Sequence, residues 1–193
     1  FEVLSHISEK TNKINNRISF TVVRNIKVIN AYASYMDKSV NIYTGILPYC
    51  DNDDELAAII SHELAHCLDY YEGGIPRWLG AMRFNSKAYE TKADLVGIDL
   101  MTKAGYNPIA MITVGNKALD ESVWDDFIFW GHPKGSKRTL DEYKYIYVKY
   151  PWALKSDMVN NVSYQNFVNY AQKDINKFVQ KQELKSLKHS ENL

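Results

Sequence analysis

The pentapeptide His62-Glu63-Leu64-Ala65-His66 lies inside a segment whose pattern is strongly helical, so two imidazoles four residues apart project from one helix face. Neutral ring nitrogens so placed can hold one Zn²⁺ through bonds of about 2.0–2.1 Å each, and Glu63 beside them can take a proton from an attacking water. Asp51, Asn52, Asp53 and Asp54, with Glu55 three residues after Asn52, supply a cap and first-turn acids, which predicts a helix starting near residue 53 and running to about 71. At about 100° per residue, Leu56, Ile60, Leu64, Cys67 and Tyr71 share one side, and Glu55, Ile59, His62, His66 and Asp69 share the other. One side is expected to enter a core while the opposite side presents the histidines. The other three histidines are His132, which stands in a motif-like Gly-His-Pro, and His6 and His189, which lie near the termini where solvation is the default.

A catalytic zinc site needs a third protein ligand. The metzincin pattern would place Gly and His at the third and sixth positions after His66, and those positions are Asp69 and Glu72. Glu72 can serve only if the chain reverses near Gly73-Gly74. A better source is a second helix over about 86 to 104, capped at Asn85 or Ser86, apolar at Ala88, Ala93, Val96 and Leu100, and stopped by Gly105 and Asn107-Pro108. It carries Glu90 and Asp94 one turn apart. One carboxylate there can complete a two-His, one-acid site while another accepts the free ring N–H of a ligand histidine.

His62-Glu63-Leu64-Ala65-His66, followed by Glu90-Thr91-Lys92-Ala93-Asp94 and by Leu-Met-Thr-Lys-Ala-Gly-Tyr-Asn-Pro at 100 to 108, resembles the gluzincin metallopeptidases of the HtpX and CAAX-protease type. Upstream, Ile29-Asn30-Ala31-Tyr32-Ala33 is similar to the strand that rims the cleft in that family, and Val40 to Leu47 is similar to its next strand and turn. Downstream, Gly131-His132-Pro133 with Arg138 is similar to the family's His-Pro and Arg element. The resemblance implies His62, His66 and Glu90 as ligands of one zinc per chain, and Glu63 as general base and then acid. It implies Asp94 as outer partner of a ligand histidine, His132 as oxyanion donor, Asn30 and Ala31 as the substrate-pairing rim, and Arg138 as an electrostatic or structural neighbour. The chain departs from the family at Tyr35-Met36-Asp37-Lys38-Ser39, where the family's turn is rich in Pro and Gly, so the rim shape is expected to differ.

The chain has 193 residues, 46% of them hydrophobic, which is enough for one core without staples; 1–193 is expected to be a single domain with a frayed tail over 183–193. Lys plus Arg and Asp plus Glu are both 23, so no global field favours nucleic acid. No apolar run approaches bilayer length, although relatives of this type are often membrane proteases; peripheral membrane contact stays open, and the oligomeric state is not fixed. Cys50 and Cys67 are expected about 20 Å apart along the chain and helix, too far for a disulfide. Exported or periplasmic, lipid-anchored and cytoplasmic forms all fit. Phe1 in place of Met reads as a processed form or an excised catalytic region.

The expected class is α+β and zincin-like: an N-terminal helix to about Asn16, strands near 18 to 24, 27 to 34 and 39 to 44 in a small mixed sheet, the active-site helix, and a mainly helical C-terminal half. In that half, helices are expected over 108 to 120, from Ser136 to before Pro151, and over 163 to 182, with 73–89 between the metal helices as a packed loop or short helix. The function expected is zinc-dependent endopeptidase action on extended or unfolded polypeptide. A non-catalytic, chaperone-like module holding extended chains in the same cleft is the alternative, and the presence of Glu63 argues against it.

Overall fold

The computed structural model describes residue 6 and residues 18–34, 37–84, 86–120 and 136–190, of which 69–84, 86, 118–120, 136 and 189–190 are described by their backbone alone. The expected N-terminal helix therefore lies outside the described residues apart from His6, whose exposed ring stands edge-on to Tyr106 at 5.9 Å.

Three strands, β1 (Ser19–Val23), β2 (Ala31–Ser34) and β3 (Ser39–Tyr43), form one mixed sheet in the order β1-β3-β2. Central β3 pairs in parallel with β1, Ser39 opposite Ser19, and antiparallel with β2, Ile42 opposite Ala31. This leaves β2 at an edge among the described strands. It is shorter than the 27-to-34 run of the sequence because Asn25 turns the chain: its side-chain Oδ1 accepts from the Lys27 amide at 3.1 Å and its carbonyl from Val28 at 3.4 Å. After β3 a 3-10 turn, Thr44–Tyr49, packs so tightly that a β-carbon on Gly45 would clash with the Val28 carbonyl.

The metal-motif helix is α1 (Asp53–Phe84). Its start matches the sequence signal: the Asn52 carboxamide oxygen accepts from the Glu55 amide at 3.0 Å, and Glu55 Oε2 accepts from the Asp51 amide at 2.8 Å. Two expectations for this helix are corrected. It does not break at Gly73-Gly74, and 73–89 is neither a packed loop nor a short helix of its own; α1 continues to Phe84 and α2 (Ser86–Lys103) takes in the rest. Two glycines cost about 1 kcal/mol each relative to alanine, a penalty that a helix already nucleated over many turns can absorb. Nor is there a single core face, because every residue from Ala57 to Cys67 is buried, with sheet on one side and helices on the others.

α2 ends in a Schellman turn at Gly105 (φ +93°), with the Tyr106 amide donating to the Met101 carbonyl at 3.0 Å. α3 (Ile109–Asp120) is capped by Asn107, whose Oδ1 accepts from the Ile109 amide at 3.1 Å with Pro108 between them. The Asn107 amide in turn donates to Asp54 Oδ1 at 2.8 Å, tying the end of α2 to the start of α1. α4 (Ser136–Lys149) stops before Pro151 as the sequence predicts, and 3-10 turns at Pro151–Lys155 and Asp157–Asn160 lead to α5 (Val162–Ser190), capped by Asn161. α5 outruns the 163-to-182 stretch because Lys, Glu, Gln and Leu dominate its last turns and no Pro or Gly interrupts them. Its Tyr164, Phe167, Ala171 and Ile175 are buried in the core shared by the five described helices and the sheet.

The overall class is the expected α+β, zincin-like one. Both cysteines are free, Cys67 buried and Cys50 partly so. Among the described residues no helix is long and apolar enough to cross a membrane.

Candidate metal centre

His62 and His66 project from the buried middle of α1 toward α2, where Glu90 faces both. What lets the two helices approach is Gly97: a β-carbon there would stand 3.1 Å from the His62 amide nitrogen and 2.9 Å from Met111 Cε on α3. With α2 so close, His62 Nε2 and His66 Nε2 are 3.1 Å apart, and each lies 3.3 Å from an oxygen of Glu90. Donors bonded tetrahedrally to one zinc at 2.0–2.1 Å are separated by about 3.3–3.4 Å, so the cluster has the right span.

Its electrostatics fit a cation as well. Burial works against charge on His62, but Asp94 and Glu90 outweigh it and push its pKa up to about 10; the same carboxylates favour any cation at this ring. Burial lowers His66, leaving it neutral with a lone pair to offer. A ligand imidazole must be neutral, which His66 is; at His62 a metal would have to displace the proton that the carboxylates hold there.

A second layer fixes the first. Asp94 Oδ1 accepts from His62 Nδ1 at 2.8 Å, which points Nε2 of that ring toward Glu90. Burial alone would raise Asp94; the Arg138 guanidinium and His62 hold its carboxyl below the usual range. Arg138, from α4, grips Asp94 with two bonds, Nε to Oδ2 at 2.8 Å and Nη2 to Oδ1 at 2.7 Å, and reaches Glu90 Oε2 at 3.4 Å through Nη1. Tyr89 stacks on His66 with ring centroids 4.8 Å apart.

Glu63 is 1% exposed, and its Oε1 has no hydrogen-bond partner among the described residues. A buried carboxylate oxygen left open beside two histidines is an available proton acceptor. On the sheet side, Ala31 is buried at the start of edge strand β2, and the Asn30 carbonyl accepts from the Tyr43 amide at 3.0 Å, so Asn30 extends the pairing. Gly131, His132 and Pro133 lie outside the described residues.

The structure thus brings together His62, Glu63, His66, Glu90, Asp94 and Arg138. Sequence reasoning passed over Tyr89, Gly97 and Glu142. A lone glycine inside a helical pattern was the available signal for Gly97, and the spacing of one turn from Arg138 was the signal for Glu142.

The model of Peptidase family M48 matches residues 2–70, a span that holds His62, Glu63 and His66 and stops before Glu90. The chain is 28% identical over 145 residues to the mitochondrial metalloendopeptidase OMA1 of Arabidopsis thaliana, covering 61% of this chain and 30% of the relative. It is 23% identical over 170 residues to the beta-barrel assembly-enhancing protease of Escherichia coli (strain K12), covering 67% of this chain and 34% of that one. Against the OMA1 of Schizosaccharomyces pombe it is 28% identical over 129 residues, 51% of this chain and 38% of the relative. The chain spans about a third of the length of these relatives. The matches bear out the resemblance to gluzincin metallopeptidases that the motifs carry.

Proposed function

With a gluzincin-type metallopeptidase chain as the premise, we propose that the protein is a zinc endopeptidase acting on extended or unfolded polypeptide. The observation that carries this reading is the triangle of His62, His66 and Glu90 donor atoms, with sides of 3.1–3.3 Å, beside the open carboxylate oxygen of Glu63. When bound, zinc would supply a Lewis acid that polarises the scissile carbonyl and acidifies water. His62, His66 and Glu90 would hold it, and Asp94, itself gripped by Arg138, would keep the His62 ring turned toward it.

Glu63 takes a proton from the attacking water at its carboxylate and returns it to the leaving amine. His132 donates a hydrogen bond to the oxygen on which negative charge develops. Asn30, Ala31 and the following residues of β2 align an extended substrate by backbone pairing, for which an edge strand is suited. Exclusion of water from the reacting atoms follows from the burial of Glu63, His62 and His66.

The test is metal content by mass spectrometry together with cleavage of an unfolded protein, with and without chelator. Stoichiometric zinc and chelator-sensitive cleavage restored by added zinc are expected; cleavage indifferent to chelation would overturn the reading. A folded Ala31→Pro variant should keep zinc yet cleave long unfolded substrates more slowly, and full activity would mean that substrate runs elsewhere.

A further inference from the structure

The two histidines of the metal motif are held by different means. His62 is turned by the hydrogen bond between its Nδ1 and Asp94 Oδ1 at 2.8 Å. His66 meets a flat surface instead: the Tyr89 ring lies on its face, with centroids 4.8 Å apart and planes inclined by 29°. The His62 ring stands at 89° to the same imidazole, with centroids 4.6 Å apart. Tyr89 is buried, and its neighbour in the chain is Glu90, whose Oε1 lies 3.3 Å from His66 Nε2. Successive residues of α2 thus present an aromatic face and a carboxylate to one imidazole.

An imidazole can turn about its Cβ–Cγ bond, a broad torsion that would swing Nε2 away from Glu90. With Tyr89 against the ring, that turn has to break the stack, and aromatic pairs of this kind stabilise beyond the area they bury. Burial by itself gives no reason for a ring at position 89, because it is non-directional and an aliphatic side chain would cover the imidazole as well. The stack also favours the metal-bound state over the free one. A cation at Nε2 draws electron density from the imidazole, and the face of a phenol ring is negative, so the pair attracts more strongly once the metal is in place. A ring already fixed has less freedom left to lose on binding.

We propose that Tyr89 is a positioning residue of the metal centre: its ring, stacked on His66, fixes the plane of that imidazole and keeps Nε2 turned toward Glu90 and His62. The inference rests on the zinc reading of the site. Asp94 and Tyr89 then divide one task, the first holding its histidine by a hydrogen bond and the second by a stacked face.

The test measures zinc affinity of the full chain by chelator competition, and the unfolding temperature with and without zinc, for the parent, Tyr89→Phe and Tyr89→Leu. Tyr89→Met replaces the leucine variant if that one does not fold. Removing the ring should weaken zinc binding roughly 3- to 10-fold, the factor to which the energy of an aromatic pair corresponds, and should shrink the rise in unfolding temperature that zinc produces. Tyr89→Phe keeps the stacked face and should bind zinc like the parent. In the zinc-free parent and in Tyr89→Phe, the carbon-bound ring protons of His66 should resonate upfield of their positions in the urea-unfolded chain, a displacement that the leucine variant loses. Parental zinc affinity in Tyr89→Leu, equal losses in the Leu and Phe variants, an unfolding temperature lowered by the same amount with and without zinc, or His66 ring protons without the upfield displacement in the parent would each overturn the proposal. A parent chain that binds no zinc would instead remove the metal reading on which it rests.

Discussion

Gly97 passes the backbone of His62 so closely that a β-carbon on it would sit 3.1 Å from the His62 amide nitrogen. The contact sets how near Glu90 and Asp94 can come to the histidines, since all three residues ride on α2. Gly97→Val should therefore lower stability by about 1–3 kcal/mol through overpacking and also weaken zinc binding. Trimming Met111 to Ala should not restore the metal, because the obstructing atoms on α1 are backbone. Zinc titration and urea unfolding check both points, and a Val variant with parental zinc affinity would contradict the account.

Glu63→Gln keeps the shape of the side chain but removes the proton acceptor. It should fold and bind zinc like the parent while losing on the order of 10²–10⁴ in turnover. Unchanged turnover would exclude Glu63 as the base.

Three carboxylates separate by role. Because α1 runs on as helix past Gly73-Gly74, the chain does not reverse after His66, and position 72 stands about 9 Å further along the helix axis. Zinc titration should rank Glu90→Ala weakest, Asp94→Ala intermediate with a loss of roughly 10–100-fold, and Glu72→Ala near the parent. Loss of zinc in Glu72→Ala with retention in Glu90→Ala would undo the ligand assignment.

His132→Ala should lower kcat by roughly 10²–10³ with little change in KM, as loss of an oxyanion donor does. Steady-state kinetics on a fixed peptide would show it, and a raised KM as the sole defect would make His132 a substrate-binding residue.

Lys117 lies 2.7 Å from Glu55 Oε2 and 2.7 Å from Asp51 Oδ2, and Glu55 is 0% exposed. Thr113 Oγ1 donates to the other Glu55 oxygen at 2.7 Å. Lys117→Met leaves that buried carboxylate without its cation and should cost about 3–5 kcal/mol in denaturant unfolding. A change under roughly 0.5 kcal/mol, the size of an ordinary surface substitution, would show that the pair is dispensable.

Much of the site was readable because its information is local. Two histidines four apart, and two acids four apart on the next helix, are statements about single helices, and helix periodicity carries them directly. The caps at Asn52 and Asn107 and the stop at Gly105 were legible for the same reason. What escaped depends on what packs against what. The sheet order, with β1 joined in parallel to central β3 and β2 on the far side of it, is decided by contacts distant in sequence. Glu55 looked like a member of the histidine face, yet α3 brings Lys117 and Thr113 to it. α1 was expected to show one apolar side, but the fold buries every residue from Ala57 to Cys67, so Ser61 is buried as fully as Leu64. Gly73-Gly74 read as a break although the helix spans it, because propensity is weaker than propagation along a long helix.

The bond between the Asn107 amide and Asp54 fastens the tail of α2 to the head of α1. The chain itself joins the other ends of the two helices between Phe84 and Ser86, so the pair is tied at both ends. His62 lies about 12 Å along α1 from the Asp54 tie and His66 about 18 Å, which sets the donors between the two fastenings. A divalent cation gripped by His66 and Glu90 would rivet the pair a third time, in mid-span.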